Sequence, residues 1–372
     1  MGRVVRGRTV GGSPLRQKTG KGSSETELEG SRPRQKTVSG SSKTWKCHRQ
    51  EEAPLVKRAN TYAALLQSAS QPRFDMPLQV HGDELSILVD KLEQYLPEAI
   101  RVQSNIRSVL GGWCDGQKIW VDDWPEVRAV VCVVDSHNAK FGYWRNRLEI
   151  YCCDFDALES VLSHDPVLDW KTEFLVAGVS KECMKTVAKV VRKKHVGTVV
   201  PFDTELYIYY LPKSTRDTLI GIPDRPLPSD YRVGTVDSCL STSLSQIWEP
   251  DGGPLCERYI RALINNMPSV AVYTADGIPI AYCLLYYYWA LALLYVQPEY
   301  RGKGLGKLVT TEMIKKIEQK APKQTPYLVV ATNNERALAM YEKLGFRRVN
   351  KLLYWFLFKP ISSESSCLNF RV

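Results

Sequence analysis

A mixed α/β (α+β) chain of two domains is what this sequence predicts, on three observations: its length, its alternation of strand-like and helix-like segments, and one proline-dense stretch that divides them. At 372 residues the chain exceeds what a single hydrophobic core commonly organises. Short β-branched and aromatic runs alternate with runs of helical periodicity from about residue 82 onward. Residues 212–230 (PKSTRDTLIGIPDRPLPSD) carry Pro212, Pro223, Pro226 and Pro228, the density expected of a linker. The organisation expected is a basic disordered extension or transit segment over 1–75, a first domain over 76–211, the linker 212–230, a second domain over 231–360 and a tail over 361–372.

The extension is rich in Gly, Ser, Arg, Lys and Gln and poor in large apolar residues, so burial cannot offset the entropy of ordering it. It holds 15 Lys and Arg against 6 Asp and Glu, while residues 76–372 hold 35 against 34. The formal charge of +10 is therefore local, and no nucleic-acid partner is expected of the folded part. The first acidic residue is Glu25, and a basic, acid-free start has the composition of a mitochondrial transit peptide. The same composition fits a disordered extension ahead of a working start at Met76, with a cytoplasmic location as the alternative. Ten cysteines include no C-x-x-C and no His/Cys group at zinc spacing, so reduced thiols and no metal are expected. None of the five histidines lies beyond His195, so the second domain has no histidine to offer as a base.

The first domain opens with a helix, because Leu85, Leu88, Val89, Leu92, Tyr95 and Leu96 have helical spacing and Pro97 ends it. Strands are expected at Arg101–Leu110, at Val127–Val134 (VRAVVCVV) and at Leu148–Cys153 (LEIYCC). Helices are expected near 156–162 and 181–194, then an alternating strand over 205–211 (ELYIYYL). No internal repeat is apparent in the residues. In the second domain the uncharged run Ile278–Gln297 is long enough to span a bilayer as a helix. Its Tyr and Trp residues lie through its middle rather than at its ends, and it follows the turn Asp276-Gly277 after a strand over 270–274. Two buried antiparallel strands are expected there instead, and no membrane span.

After the strand 290–297 comes Pro298-Glu299-Tyr300-Arg301-Gly302-Lys303-Gly304-Leu305-Gly306, followed by a helix with Leu308, Met313, Ile314 and Ile317 on one side. A glycine-rich turn that opens a helix brings backbone N–H groups and the positive helix end to a phosphate. Further on, a strand over 326–332 leads into a helix that places Asn334, Ala337 and Tyr341 on one stripe, with Gly345 as its stop, before a last strand over 352–358.

The order V-x-P-x-Y-R-G-x-G-x-G, then N-x-x-A-x-x-x-Y-x-x-x-G-F, resembles the GNAT superfamily of acyl-CoA N-acyltransferases. That resemblance implies a GNAT fold for the second domain, with a mixed, mostly antiparallel central sheet flanked by helices. It implies acyl-CoA as co-substrate, with no permanently bound cofactor. Carried over, Leu294, Tyr295 and Val296 bind pantetheine and the thioester carbonyl, and Arg301, Gly302, Lys303, Gly304, Leu305 and Gly306 cradle the pyrophosphate. Asn334 contacts the cofactor, and Tyr341 protonates the leaving thiolate.

The segments Met76-Pro77-Leu78-Gln79, Trp120–Glu126, Tyr207–Tyr210, Tyr231-Arg232-Val233, Trp248 and Cys256–Ile260 look like the glycine N-acyltransferase family. Transfer of an acyl group to glycine or a related amino acid is implied, by a monomer whose partners are small molecules. That family has a glutamate base eight residues before the loop proline, where this chain has Ala290, and 278–297 contains no Asp, Glu or His. Glu249, Asp251 or Glu257, or a water relay, takes that role, or the activity is weak or altered. An acyl-CoA-binding GNAT protein of weak activity, or a GNAT acetyltransferase acting on another amine, is the alternative.

Overall fold

The computed structural model describes residues 76–134, 146–222, 227–248 and 253–361. The extension 1–75, the tail beyond 361, Glu249 and Asp251 lie outside the described residues. The first half runs β1 (Leu78–Val80), α1 (Asp83–Leu92), α2 (Ile100–Leu110), β2 (Gln117–Val121), β3 (Ala129–Val134), β4 (Asn146–Cys152), α3 (Phe155–Ser163), β5 (Phe174–Val179), α4 (Lys181–Lys194) and β6 (Gly197–Tyr210). After α5 (Lys213–Ile220) the second half runs β7 (Tyr231–Gly234), α6 (Ser241–Trp248), α7 (Gly253–Asn266), β8 (Ser269–Thr274), β9 (Pro279–Leu285), β10 (Ala290–Val296), α8 (Leu305–Lys320), β11 (Tyr327–Ala331), α9 (Glu335–Lys343), β12 (Arg347–Arg348) and β13 (Leu353–Pro360).

Set side by side, the halves repeat one order, β-α-α-β-β-β-α-β-α-β, with α5 between them and the two-residue β12 as an addition. Each contributes three antiparallel pairings and then one parallel pairing, β4 with β5 and β10 with β11. Their last strands are exchanged: β13 lies between β5 and β6, and β6 lies between β13 and β11, so one mixed sheet runs through both halves. The repeat is topological, which is why the residues did not disclose it. Within the stretch expected as a linker, Lys213–Ile220 form α5, held down by buried Arg216, whose Nη1 donates to the Pro322 and Gln324 carbonyls at 3.2 Å.

Most elements follow from local rules. In α1, Leu85, Leu88, Val89 and Leu92 form the buried stripe. Helix α4 starts at Ser180, whose Oγ accepts from Cys183 N at 3.2 Å, and stops at His195, where φ is 52°. The run 278–297 is the antiparallel pair β9–β10, and among the described residues no helix is long and apolar enough to cross a membrane.

Arg101–Leu110 is helix α2, not the expected strand. Val102, Ser104, Ile106 and Ser108 alternate in type, but all are buried because α2 is covered on most of its circumference, and so polarity does not mark its outward face. Three of its polar residues reach distant partners: Ser104 Oγ donates to Gln324 Oε1 at 2.8 Å, Ser108 Oγ to the Tyr287 carbonyl at 2.5 Å, and Arg101 is ion-paired with Glu149. Removing the guanidinium leaves Glu149 paired with Arg147 but takes the donor from Glu149 Oε2 and from the buried Ala177 and Gly178 carbonyls, so Arg101→Ala should cost about 3 kcal/mol of folding stability. Denaturant unfolding reads this directly, and a loss under about 1 kcal/mol would show that the Arg101 pairing does not anchor α2.

Candidate active site

Strand β10 is paired with β11 only at Ala290–Tyr327 and Leu291–Leu328, and beyond Leu291 the two strands diverge. A bulge begins at the same place. Ala292 pairs with Leu284 and Tyr295 with Tyr282, so Leu293 and Leu294 both oppose Cys283. Leu293 takes φ 49°, a left-handed conformation costly for a bulky side chain and commonest where function holds it. Past the bulge, Gln297 N donates to the Ile280 carbonyl at 2.9 Å. By alternation the Tyr295 amide also faces β9, and the Val296 amide faces the gap. Leu294 lies inside the bulge and has no partner in the register of either neighbouring strand. Leu293, Leu294, Tyr295 and Val296 are half-buried, while the paired start of β10 is buried.

The loop after β10 has the geometry an anion requires. Gly302 and Gly304 take φ 79° and 85°, and Gly304 is the N-cap of the 16-residue α8, with no side chain capping it. The N–H groups of Leu305, Gly306 and Lys307 in the first turn therefore have no intrahelical partner. Residues 301–304 are exposed. Arg301 Nε donates to the Val296 carbonyl at 3.0 Å, which ties the loop to the gap-facing edge of β10. Lys303 Nζ lies 4.8 Å from the Tyr300 ring centre. Gly306 lets α8 approach α9, since a Cβ there would sit 3.0 Å from Met340 Sδ.

Asn334 is the N-cap of α9, its side-chain oxygen accepting from Ala337 N at 3.3 Å, so that oxygen is engaged in starting the helix. Tyr341 is buried, 5% exposed, with its ring 5.5 Å from that of Phe346. Its hydroxyl makes no hydrogen bond among the described residues. Burial pushes its pKa well above the ordinary phenol value, and the neighbouring Cys283 thiol, opposite the bulge, raises it further. Glu342, one residue on, accepts from Tyr209 Oη at 2.8 Å and so fixes α9 to β6.

No acid stands at Ala290, which is buried and whose carbonyl accepts from Tyr286 N at 3.0 Å. Glu257 on α7 is half-buried and paired with Arg261 at 2.6 Å. The sequence did not draw attention to Glu149, 1% exposed on β4. It binds Arg101 through Oε2 and Arg147 Nε through Oε1, the latter at 2.6 Å, so both oxygens are engaged. A charged residue inside the strand run LEIYCC was the available signal.

The first half lacks the equivalent features. The β4–β5 pairing also stops early, after Leu148–Val176, but there Arg101 Nη1 donates to the Ala177 and Gly178 carbonyls and fills the gap. A Cβ on Gly178 would lie 2.0 Å from that Nη1. The start of α3 is closed by Asp154, whose carboxylate accepts from Asp156 N at 2.9 Å and Ala157 N at 3.1 Å. That carboxylate occupies the place an anion would take, and its pKa is lowered chiefly by the Ala157 N–H.

Two family models match the chain, the first extending from the first half into the second. The model of the aralkyl acyl-CoA:amino acid N-acyltransferase family matches residues 76–268, and that of FR47-like proteins matches 277–356. Glycine N-acyltransferase-like protein 2 of Homo sapiens is 24% identical over 276 residues, covering 72% of this chain and 92% of the relative. Glycine N-phenylacetyltransferase of Bos taurus is 23% identical over 241 residues, 61% of this chain and 81% of the relative. A crystal structure of a Drosophila protein superposes with a TM-score of 0.61 at 14% identity, covering 77% of this chain and 99% of that one.

Proposed function

From the premise that the chain belongs to the aralkyl acyl-CoA:amino acid N-acyltransferase family, we propose that it transfers an acyl group from acyl-CoA to the amino group of glycine or a related amino acid. The observation that carries this reading is the divergence of β10 from β11 beside the uncapped start of α8. In the proposed binding mode the pyrophosphate lies on the loop Arg301–Gly306, and pantetheine extends along the free edge of β10. The Val296 amide, with Leu294 in the bulge, faces the thioester.

The acceptor amine attacks the thioester carbon, and the carbonyl oxygen becomes an oxyanion held by strand N–H groups. The intermediate collapses as the C–S bond breaks, the nitrogen loses its proton, and CoA leaves as thiolate with a hydrogen bond from the Tyr341 hydroxyl. Because that pKa is raised above the usual phenol value near 10, and a thiol titrates near 8.5, hydrogen-bond donation is favoured over full proton transfer to sulfur. Asn334 shapes the start of α9 rather than the thioester end of the site.

With Ala290 in place of an acid, the amine enters as the minority free base and its proton leaves through water. kcat/KM for the acceptor should therefore rise about tenfold per pH unit below the amine pKa. A flat profile from pH 6 to 8 would point to an enzyme base outside 278–297.

The test is to incubate the full chain with benzoyl-CoA or a fatty acyl-CoA and a panel of amino acids while following thiol release. An amino-acid-dependent release is the expected outcome, and release indifferent to the amino acid would remove the reading. Ala290 also favours a second reading, an acyl-CoA-binding protein of weak activity, which binding without release would select. A mitochondrial setting is part of the proposal, tested by subcellular fractionation.

A further inference from the structure

We propose that Arg147 binds the carboxylate of the acceptor, so that this site selects amines carrying an anionic group; the proposal rests on the acyl-transfer reading above. Arg101 and Arg147 share one carboxylate, Glu149, in an interior where Arg101 and Glu149 side chains are 5% and 1% exposed and Arg147 is 14% exposed. Among the described residues one positive charge is in excess, and an unpaired charge at such depth is costly until an anion meets it.

The hydrogen bonds say which guanidinium is open. Arg101 is committed to Glu149 and to the Ala177 and Gly178 carbonyls. Arg147 donates only its Nε, to Glu149 Oε1 at 2.6 Å, and its two terminal nitrogens have no hydrogen-bond partner among the described residues. A planar guanidinium held at Nε presents the remaining fork to a carboxylate in two parallel bonds.

Aromatic rings hold that fork without consuming its donors. Arg147 Cζ lies 4.8 Å from the Tyr288 ring centre, 5.6 Å from that of Trp355 and 6.0 Å from that of Tyr286. Tyr286 and Tyr288 stack at 5.1 Å, and Trp248 lies 6.0 Å from Tyr286.

The cluster also sits at the correct end of the gap. Tyr286 N donates to the Ala290 carbonyl and Tyr327 Oη donates to the Tyr288 carbonyl at 3.3 Å, beside the Ala290–Tyr327 rung where β10 and β11 are still joined. From there to the bulge at Leu293 is three residues, about 10 Å of strand. That is the scale of a small acyl group followed by an amino acid. Acyl-CoA enters from the loop end, and the acceptor meets it from the Arg147 end.

The test compares the full chain with Arg147→Gln and Arg147→Lys, using glycine and glycinamide as acceptors at saturating benzoyl-CoA. The expected result is a rise of about 10- to 100-fold in the glycine KM for Arg147→Gln, with the benzoyl-CoA KM unchanged. The preference for glycine over glycinamide collapses with it, and Arg147→Lys recovers part of both. A Gln variant that prefers glycine as strongly as the parent overturns the proposal. Should the parent acylate no amino acid, the acyl-transfer reading falls alone. Equilibrium binding of N-benzoylglycine against N-benzoylglycinamide then decides Arg147. A loss of about tenfold for N-benzoylglycine in the Gln variant supports the proposal, and equal affinity overturns it. If the Gln variant fails to fold, Arg147→Lys, which keeps the charge and loses the fork, is read in the same assays: a weakened glycine preference supports the proposal and an unchanged one overturns it.

Discussion

Gly304→Val combined with Gly306→Val is expected to weaken acyl-CoA binding by about 100-fold or more while leaving the rest of the chain folded. The two positions fail for different reasons. A Cβ on Gly304 meets nothing within 4 Å, so space is not the objection there; φ of 85° is, and a β-branched residue tolerates that conformation poorly. The residue relaxes by turning its peptide planes, which redirects the N–H groups at the start of α8. At Gly306 φ is ordinary and space is the objection, since Met340 Sδ lies 3.0 Å from the new Cβ. Helix α8 is then pushed from α9. Strain of about 1–3 kcal/mol and the loss of charge-assisted hydrogen bonds worth about 1.5–3 kcal/mol each reach two decades in affinity. Both positions are at the loop, away from the apolar stripe Val309, Met313, Ile314 and Ile317 that seats α8. A calorimetric titration with acyl-CoA reads the loss, and S-acyl-pantetheine, which lacks the pyrophosphate, provides the control. An acyl-CoA affinity within a few-fold of the parent would show that the loop does not cradle the phosphates.

How far the sequence could be read depended on whether a residue's neighbours in the chain are also its neighbours in space. The loop Arg301–Gly306 and the start of α9 are local devices, made of glycines at positive φ, an Asn cap and a helix that follows at once, and their spacing was visible in the chain. The strand pair inside 278–297 was equally legible, because tyrosines through the middle of an uncharged run fit a buried sheet better than a bilayer. Helix α2 was misread because its surroundings are tertiary. Ser104 and Ser108 answer to Gln324 and Tyr287, some two hundred residues away, so a polar residue there did not mark a surface. The repeat escaped for a related reason. It consists of strand order and of the exchange of β6 and β13, while the residues at matching positions have diverged in function: Asp154 caps α3 where Gly304 leaves α8 open. The trio of buried Arg101 and Glu149 with half-buried Arg147 joins α2 to β4 and lies beside the β9–β10 turn, a neighbourhood that no linear spacing encodes.

Tyr341→Phe should lower kcat by about 100-fold with acyl-CoA affinity nearly unchanged, because it removes one hydroxyl and keeps the ring packed on Phe346. The phenol is 5% exposed, and burial raises its pKa, with Cys283 adding to the shift. A raised phenol pKa means that the protonated form, the one able to donate to a departing thiolate, persists through the whole neutral range and above the ordinary value near 10. The parent enzyme should therefore show kcat/KM for the acceptor rising as the amine loses its proton, with no falling limb assignable to Tyr341 up to about pH 10. The Phe variant should keep the rising limb at a lower plateau, since the amine titrates in both. An acyl-CoA with a better thiolate leaving group should recover part of the loss in the variant and gain little in the parent, because sulfur then needs less help in departing. A variant within twofold of the parent in kcat, or one whose defect lies wholly in acyl-CoA KM, would assign Tyr341 to packing alone. The pH profile and the leaving-group series separate those cases, as a ring that only fills space has no reason to respond to the acidity of the thiol.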